Sequence, residues 1–209
     1  MKSAGRTEEN EVEMADYTII SDVSSFICKM LREKMCPEPV PSPNNIEISS
    51  PASQDVDYII GVYLYDVKEE AIVARPPRVL AGGTRFSKPP VPYSLYYMVF
   101  INGSSQMGLK APDIQKIIGR VAQIVSDNSS VYPHELQPWL DDTEPPIVLS
   151  QAKMALEEKV RVWQAINKPY QISLFYKAAP VYVSSETVVD PPRVREAVFG
   201  IGMIGQEGG

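Results

Sequence analysis

The chain has 209 residues, of which 44% are hydrophobic and 22% charged, with a formal net charge of −6 and a sequence pI of about 4.9. That length and composition suit one globular domain with modest extensions. The acidic balance, without a long basic run, argues against nucleic acid as a partner. No apolar run approaches the roughly 20 residues of a membrane-spanning helix, and no secretory leader is expected.

In chain order, residues 1–13 carry Glu8, Glu9, Glu11 and Glu13 and predict a disordered leader, with Met14 as a candidate alternative start. From Tyr17 to Met35, Ile19, Ile20, Val23, Phe26, Ile27, Met30, Leu31 and Met35 recur in steps of three and four, the signature of an amphipathic helix. Pro37, Pro39, Pro41 and Pro43 end it. Its cysteines, Cys28 and Cys36, lie roughly 12 Å apart on a helix. A disulfide needs Cα atoms within about 7 Å, so free thiols are expected.

Ile46–Ser49 reads as a short strand. Tyr58–Val67 reads as a stronger one that is apolar or aromatic on both faces, so it is central in a sheet or meets another subunit. Lys68–Pro90 is an irregular stretch with Pro76, Pro77, Gly82, Gly83, Pro89 and Pro90 among Arg75, Arg78, Arg85 and Lys88. An irregular run of that length inside a compact domain is usually functional or disordered.

Val91–Asn102 alternates again, with Val91, Tyr93, Leu95, Tyr97, Val99 and Ile101 on one face. Pro112–Ser126 predicts a second helix with Ile114, Ile117, Ile118, Val121, Ile124 and Val125 as its buried stripe. After a loop-rich stretch and a short strand at Ile147–Leu149, Lys153–Ile166 predicts a third helix. Its inward residues are Leu156, Val160, Trp163 and Ile166, and Glu157 and Arg161 are spaced as an ion pair. Tyr170–Lys177 alternates as a strand that Pro180 breaks or bends before Val181–Val183.

These elements do not alternate regularly, which predicts an α+β fold: a mostly antiparallel sheet of four to six strands packed with two or three helices. The expected division is a leader at 1–13, a domain at 14–185 and a flexible Gly- and Pro-containing tail at 186–209. Within the tail, Val198, Phe199, Ile201, Met203 and Ile204 are too many apolar residues for an inert linker.

Catalytic motifs are scarce. His134 is the single histidine, and His134-Glu135-Leu136 lacks the second histidine of a zinc-protease helix. Cys28 could pair with it as nucleophile and base, but Cys28 lies in a buried stripe and reads better as a core thiol. Asp141 and Asp142 read as a solvated turn. Gly82-Gly83-Thr84-Arg85 lacks the lysine and following helix of a phosphate loop. The aromatic strands could stack bases but have no basic groove beside them. Neither cofactor nor metal is expected. With 11 Tyr against 5 Phe and 2 Trp, the composition suits surfaces that become buried on assembly.

The order of short motifs carries a resemblance. Tyr17-Thr18-Ile19-Ile20-Ser21-Asp22-Val23 opens a helix containing Met30-Leu31-Arg32-Glu33. Leu64-Tyr65-Asp66 follows on a strand, then a proline-led aromatic strand from Pro90 to Tyr97 and a helix near Gly119. Last comes Trp163 on a helix running into Pro169-Tyr170-Gln171-Ile172-Ser173-Leu174-Phe175-Tyr176. Over roughly residues 15–185 this series resembles the tail-terminator, or cap, proteins of extracellular contractile injection systems of virulence-cassette and antifeeding-prophage type, which are similar to the terminators of contractile phage tails.

The resemblance implies a non-enzymatic structural cap. It would be assembled in the cytoplasm as a six-fold homo-oligomeric ring on the last layers of the inner tube protein and the sheath protein. Some relatives carry further C-terminal domains, including ones that reach toward membranes. None is read here, so direct membrane insertion is not expected. The interface candidates are Arg78, Arg85 and Lys88 in the irregular stretch, Tyr96 on the aromatic strand and Phe199 in the tail. A monomeric adaptor and an enzyme with an unrecognised site are the alternatives.

Overall fold

The computed structural model describes residues 15–53, 57–70, 86–103, 105, 108–142, 144–185 and 187–189. The first helix, α1 (Ile19–Met35), buries Ile19, Val23, Ile27, Met30, Leu31 and Met35, the stripe that its spacing requires. Strands β1 (Ile46–Ile48), β2 (Ile60–Glu69), β3 (Phe86–Ser87) and β4 (Val91–Ile101) follow. Then come α2 (Ala111–Asp127), β5 (Ser130–Val131), the single-turn α3 (Pro133–Leu136), β6 (Ile147–Gln151), α4 (Leu156–Ala165), β7 (Ser173–Val183) and β8 (Val188–Val189).

Six strands form one sheet in the order β1-β2-β4-β7-β6-β5, and β3 pairs with β8 in a separate ribbon. Every pairing is antiparallel except β1 with β2. The fold is thus the expected α+β arrangement, with one parallel edge.

The sheet divides the interior in two. On one face, α1 and α2 cover Ile60, Val62, Leu95, Tyr97, Val99, Ile101, Leu149 and Tyr176, the alternating side of β4 among them. The packing is mostly aliphatic. A buried hydrogen bond of 2.9 Å between the Ser24 and Tyr97 hydroxyls joins α1 to the sheet. Arg32 donates from Nε and Nη2 to the Ile46 carbonyl at 2.9 and 2.6 Å, fixing α1 to β1. Arg120 of α2 donates to the Lys34 carbonyl at 3.0 Å, satisfying an acceptor at the open end of α1.

On the other face, α4 covers an aromatic cluster of Tyr58, Met98, Phe100, Trp163 and Phe175. The Phe100 ring stands edge-on to Trp163 and Tyr58, with centroids 5.9 and 6.3 Å apart. Trp163 donates its indole N–H to Ser173 Oγ at 3.1 Å. Phe100 also lies across Gly61, its register partner, where a β-carbon would overlap the ring. The bare backbone of Gly61 makes room for this ring.

Several expectations need correction. α4 begins at Leu156, not Lys153, because the Ala152 N–H continues the sheet by donating to the Phe175 carbonyl at 2.8 Å. Glu158 then accepts the Ala155 N–H at 2.7 Å and starts the helix. Leu156, expected inward, is therefore 58% exposed. The Glu157–Arg161 ion pair is not among the contacts under 4.0 Å formed by the described residues.

β7 begins at Ser173. Asn167, at φ 58°, and the Lys168 N–H bond to the Trp163 carbonyl end α4, and the chain reaches the sheet only after Ile172. Tyr170 and Ile172 are exposed. Pro180 does not break β7: the register with β4 shifts between Tyr93 and Leu95, so the ladder passes from Ala178 to Val181 through a local irregularity that asks no hydrogen bond of the proline. β3, β5, β8 and α3 were not legible in the sequence.

Candidate assembly surface

The half-covered face follows from lengths. α4, with 10 residues, is roughly 15 Å long. β4 and β7, with 11 residues each, run roughly 36 Å. The helix shields the sheet over Met98, Phe100 and Phe175, and the same face continues beyond it as polar and aromatic surface.

Register places Asp66 opposite Tyr96, Lys68 opposite Ser94 and Lys177 opposite Tyr96, so these side chains share that face. The bulge between Leu64 and Asp66 adjusts β2 to this register. Lys68 Nζ lies 3.2 Å from Asp66 Oδ2 and 5.0 Å from the centre of the Tyr96 ring. The bond to Asp66, with its charge, raises the Lys68 pKa. The Tyr96 ring lies 6.2 Å from Tyr65, which begins the aromatic cluster. Lys177 donates to Glu70 Oε1 at 2.6 Å, and the Ser94 hydroxyl donates to the same oxygen. These hydrogen bonds, that of Lys177 first, hold the Glu70 carboxyl below its ordinary range. The result is a braced, charged platform around a half-buried tyrosine.

Of the sequence candidates, Tyr96 stands on this platform and Lys88 is exposed just after β3. Arg78, Arg85 and Phe199 lie outside the described residues, as do the leader at 1–13 and most of the tail at 186–209. Asp66, Lys68, Glu70 and Lys177 were missed. Strict alternation along β2 puts Lys68 on the face of Leu64, away from Tyr96; the bulge between Leu64 and Asp66 brings it to the Tyr96 face, and the register with β7 adds Lys177.

The residues weighed for catalysis lie on different elements: Cys28 on α1, His134 on α3 and Asp141-Asp142 in the turn that follows it. Cys28 is buried in the α1 core, and desolvation pushes its thiol up to about 11. At neutral pH it is protonated and a poor nucleophile. Cys36 is also a free thiol. His134 lies on α3, its ring stacked at 5.7 Å on Tyr132. Asp141 and Asp142 are exposed in the turn after Leu140. Among the described residues no three His, Cys, Asp or Glu side chains are grouped to hold a metal, and no helix is long and apolar enough to cross a membrane. An open cleft of about 370 Å³ lies between the ends of α1 and α2, lined by Met30, Glu33, Lys34 and Asn128 among others.

What the fold defines is an α+β domain whose mixed sheet carries helices on both faces and, among the described residues, leaves one face half covered. The chain belongs to the Pvc16 N-terminal domain family, which matches residues 22–196. Its fold is similar to that of the sheath/tube terminator of the PVC extracellular contractile injection system in the extended state. That likeness has a TM-score of 0.57 at 20% identity, over 92% of this chain and 67% of that one. It is equally similar to the tube-terminating cap of the anti-feeding prophage, with a TM-score of 0.57 at 21% identity over 87% of this chain and 61% of that one. The chain thus spans about two thirds of the first structure and somewhat less of the second. No curated protein sequence matches it.

Proposed function

We propose that this chain is a structural, non-enzymatic cap that ends the inner tube and sheath of a contractile injection particle. The carrying observation is that nearly the whole chain shares the fold of a sheath/tube terminator and of a tube-terminating cap, and lies within the Pvc16 N-terminal domain family. The cap assembles in the cytoplasm as a closed six-fold ring of identical subunits joined head to tail, an arrangement in which two different patches of each copy meet. The domain at 14–185 forms the body of the ring. The leader at 1–13 and the tail at 186–209 flank it. Arg78, Arg85 and Lys88, with Tyr96 and Phe199, contribute to its contacts with tube, sheath or neighbouring subunits.

Deleting the gene in its host and imaging the particles tests the reading directly. Unsheathed or length-dispersed tubes, restored by the wild-type copy, are expected. Particles of normal, uniform length would overturn the reading. Replacing Arg78, Arg85 and Lys88 together with Glu is expected to weaken docking on the particle, and unchanged capping would remove those residues from the interface.

A further inference from the structure

A second surface lies away from the platform, where the start of α1 meets the α3 loop. Gln137 is fully buried there. Its Oε1 accepts the Asp16 N–H at 3.0 Å, and its Nε2 donates to Thr18 Oγ1 at 2.9 Å and Asp22 Oδ2 at 2.8 Å. One amide thus fastens residues 16–22 to residues 132–140. Around it Tyr17, Tyr132 and Trp139 are 71%, 44% and 49% exposed. Tyr17 stands on one fastened segment and Tyr132 and Trp139 on the other, so one buried amide holds three exposed aromatic side chains on two joined stretches of surface, and aromatic anchors dominate binding energy where they become covered.

The same segments wall a narrow crevice lined by Ala15, Ile19, Pro133, Leu140, Pro180 and Tyr182, with Ile147 and the carboxylate of Glu144. The segments carrying the aromatics, 15–18 and 132–144, hold Asp16, Glu135, Asp141, Asp142 and Glu144 and contain neither Lys nor Arg. An occupant should therefore offer cations followed by apolar side chains.

The chain carries such a segment, and it departs from the wall of this crevice. Two residues after Tyr182, the Ser184 N–H donates to the Ala15 carbonyl at 3.0 Å, and β8 ends at Val189. Beyond it come Arg193 and Arg195, then a single carboxylate at Glu196, then Val198, Phe199, Ile201, Met203 and Ile204. The nine residues from Val189 to Val198 can reach roughly 30 Å when extended.

We infer that the C-terminal segment Arg193–Ile204 of this chain is the occupant of the Tyr17–Tyr132–Trp139 patch, with its arginines against the surrounding carboxylates and its apolar residues on the aromatics. The pairing needs neither tube nor sheath, so it is tested on the full chain alone and its failure leaves the cap reading standing.

Trp139 supplies the probe, because Trp163, the other tryptophan, is 1% exposed and shielded from quenchers. Acrylamide quenching of tryptophan fluorescence is compared between the wild type and a full-length variant carrying Val198→Ser, Phe199→Ser, Ile201→Ser and Ile204→Ser. The quenching constant is expected to rise about twofold or more in the variant, since a docked apolar segment excludes water and small quenchers from its anchors. Asp141→Arg with Asp142→Arg is expected to do the same. Adding Arg193→Glu and Arg195→Glu to that variant is expected to restore protection. Protection that is constant with protein concentration places the segment on its own copy, and protection that grows with concentration places it on a neighbour; both support the pairing. Equal quenching of the wild type and the tail variant, with both chains folded by circular dichroism, would overturn it.

Discussion

The two faces of the sheet use different chemistry for different ends. The face beneath α1 and α2 is long, mostly aliphatic and closed, with Val23, Leu31, Ile60, Val62 and Leu95 fully buried. The face beneath α4 is aromatic where it is covered and charged where it is not. Burial of a continuous apolar layer supplies most of the stability of a domain this size. The shorter layer is built from large rings with directed contacts, which fix the position of the strands beside the open platform. A closed face makes the fold, and a half-open one leaves a rigid surface for contact.

The largest expected effect tests whether the aromatic face is as indispensable as the aliphatic one. Trp163→Ala removes the centre of the aromatic cluster and leaves Ser173 without its donor, and is expected to cost about 3–5 kcal/mol in denaturant unfolding. Leu31→Ala, in the opposite core, is expected to cost about 2–5 kcal/mol. Native-state hydrogen exchange separates two outcomes. If the faces are independent, Trp163→Ala quickens exchange in α4 and β7 while α1 stays protected. A uniform loss of protection would break the comparison and make the sheet one cooperative unit.

A smaller effect is expected from Ser24→Ala. It leaves the Tyr97 hydroxyl buried without its 2.9 Å partner and is expected to cost about 1–3 kcal/mol in thermal or chemical unfolding. Burial already pushes the Tyr97 phenol well above its ordinary range, so ionisation offers no escape at neutral pH. Ser24→Ala combined with Tyr97→Phe is expected to recover most of the loss, because both polar groups are then gone.

The smallest effect belongs to the platform. Glu70→Gln is expected to change stability by less than about 1 kcal/mol, and less again in high salt, because both partners of the Lys177 pair are about one third exposed. The Glu70 carboxyl is held below its ordinary range when folded. Its contribution is therefore fully present above the unfolded carboxylate value and is lost as pH falls through the depressed one. The difference between wild type and Glu70→Gln in unfolding midpoint should narrow on acidification. A difference that persisted at low pH would assign the effect to shape instead of charge.

Local pattern made much of the fold legible. The steps of three and four on α1 and α2 named the side chains that fill the larger core. The alternation of β4 separated Tyr93, Leu95, Tyr97, Val99 and Ile101 onto the face that α1 and α2 cover. The errors share a cause. Leu156, Tyr170 and Ile172 have the right residue type for burial, but whether they are covered depends on where the chain leaves the sheet. That is set by the bond from Ala152 to Phe175 and by the left-handed turn at Asn167. Neither contact lies within one element, so periodicity is silent about both.

The candidate surfaces were harder to read. Tyr96 was singled out for its residue type and strand, and the structure adds Lys68 and Lys177 as its neighbours. Gln137 gave no signal at all in its loop. Its three hydrogen bonds reach residues more than a hundred positions away, and no local pattern encodes such a separation.

By itself the sequence determined the types of the longer elements, the two helix stripes, the α+β class and, through an ordered series of short motifs, the resemblance to tube terminators. These rest on side-chain periodicity and on residue order, which exist before the chain folds. Only the tertiary structure decided which strands are neighbours, that β1 joins in parallel, that α4 covers part of one face, and that Gln137 draws two distant segments together. Each of these depends on closing long loops and on one length measured against another, as with a helix roughly 15 Å long lying on strands of roughly 36 Å. Such matches are properties of the packed molecule, and no stretch of sequence contains them.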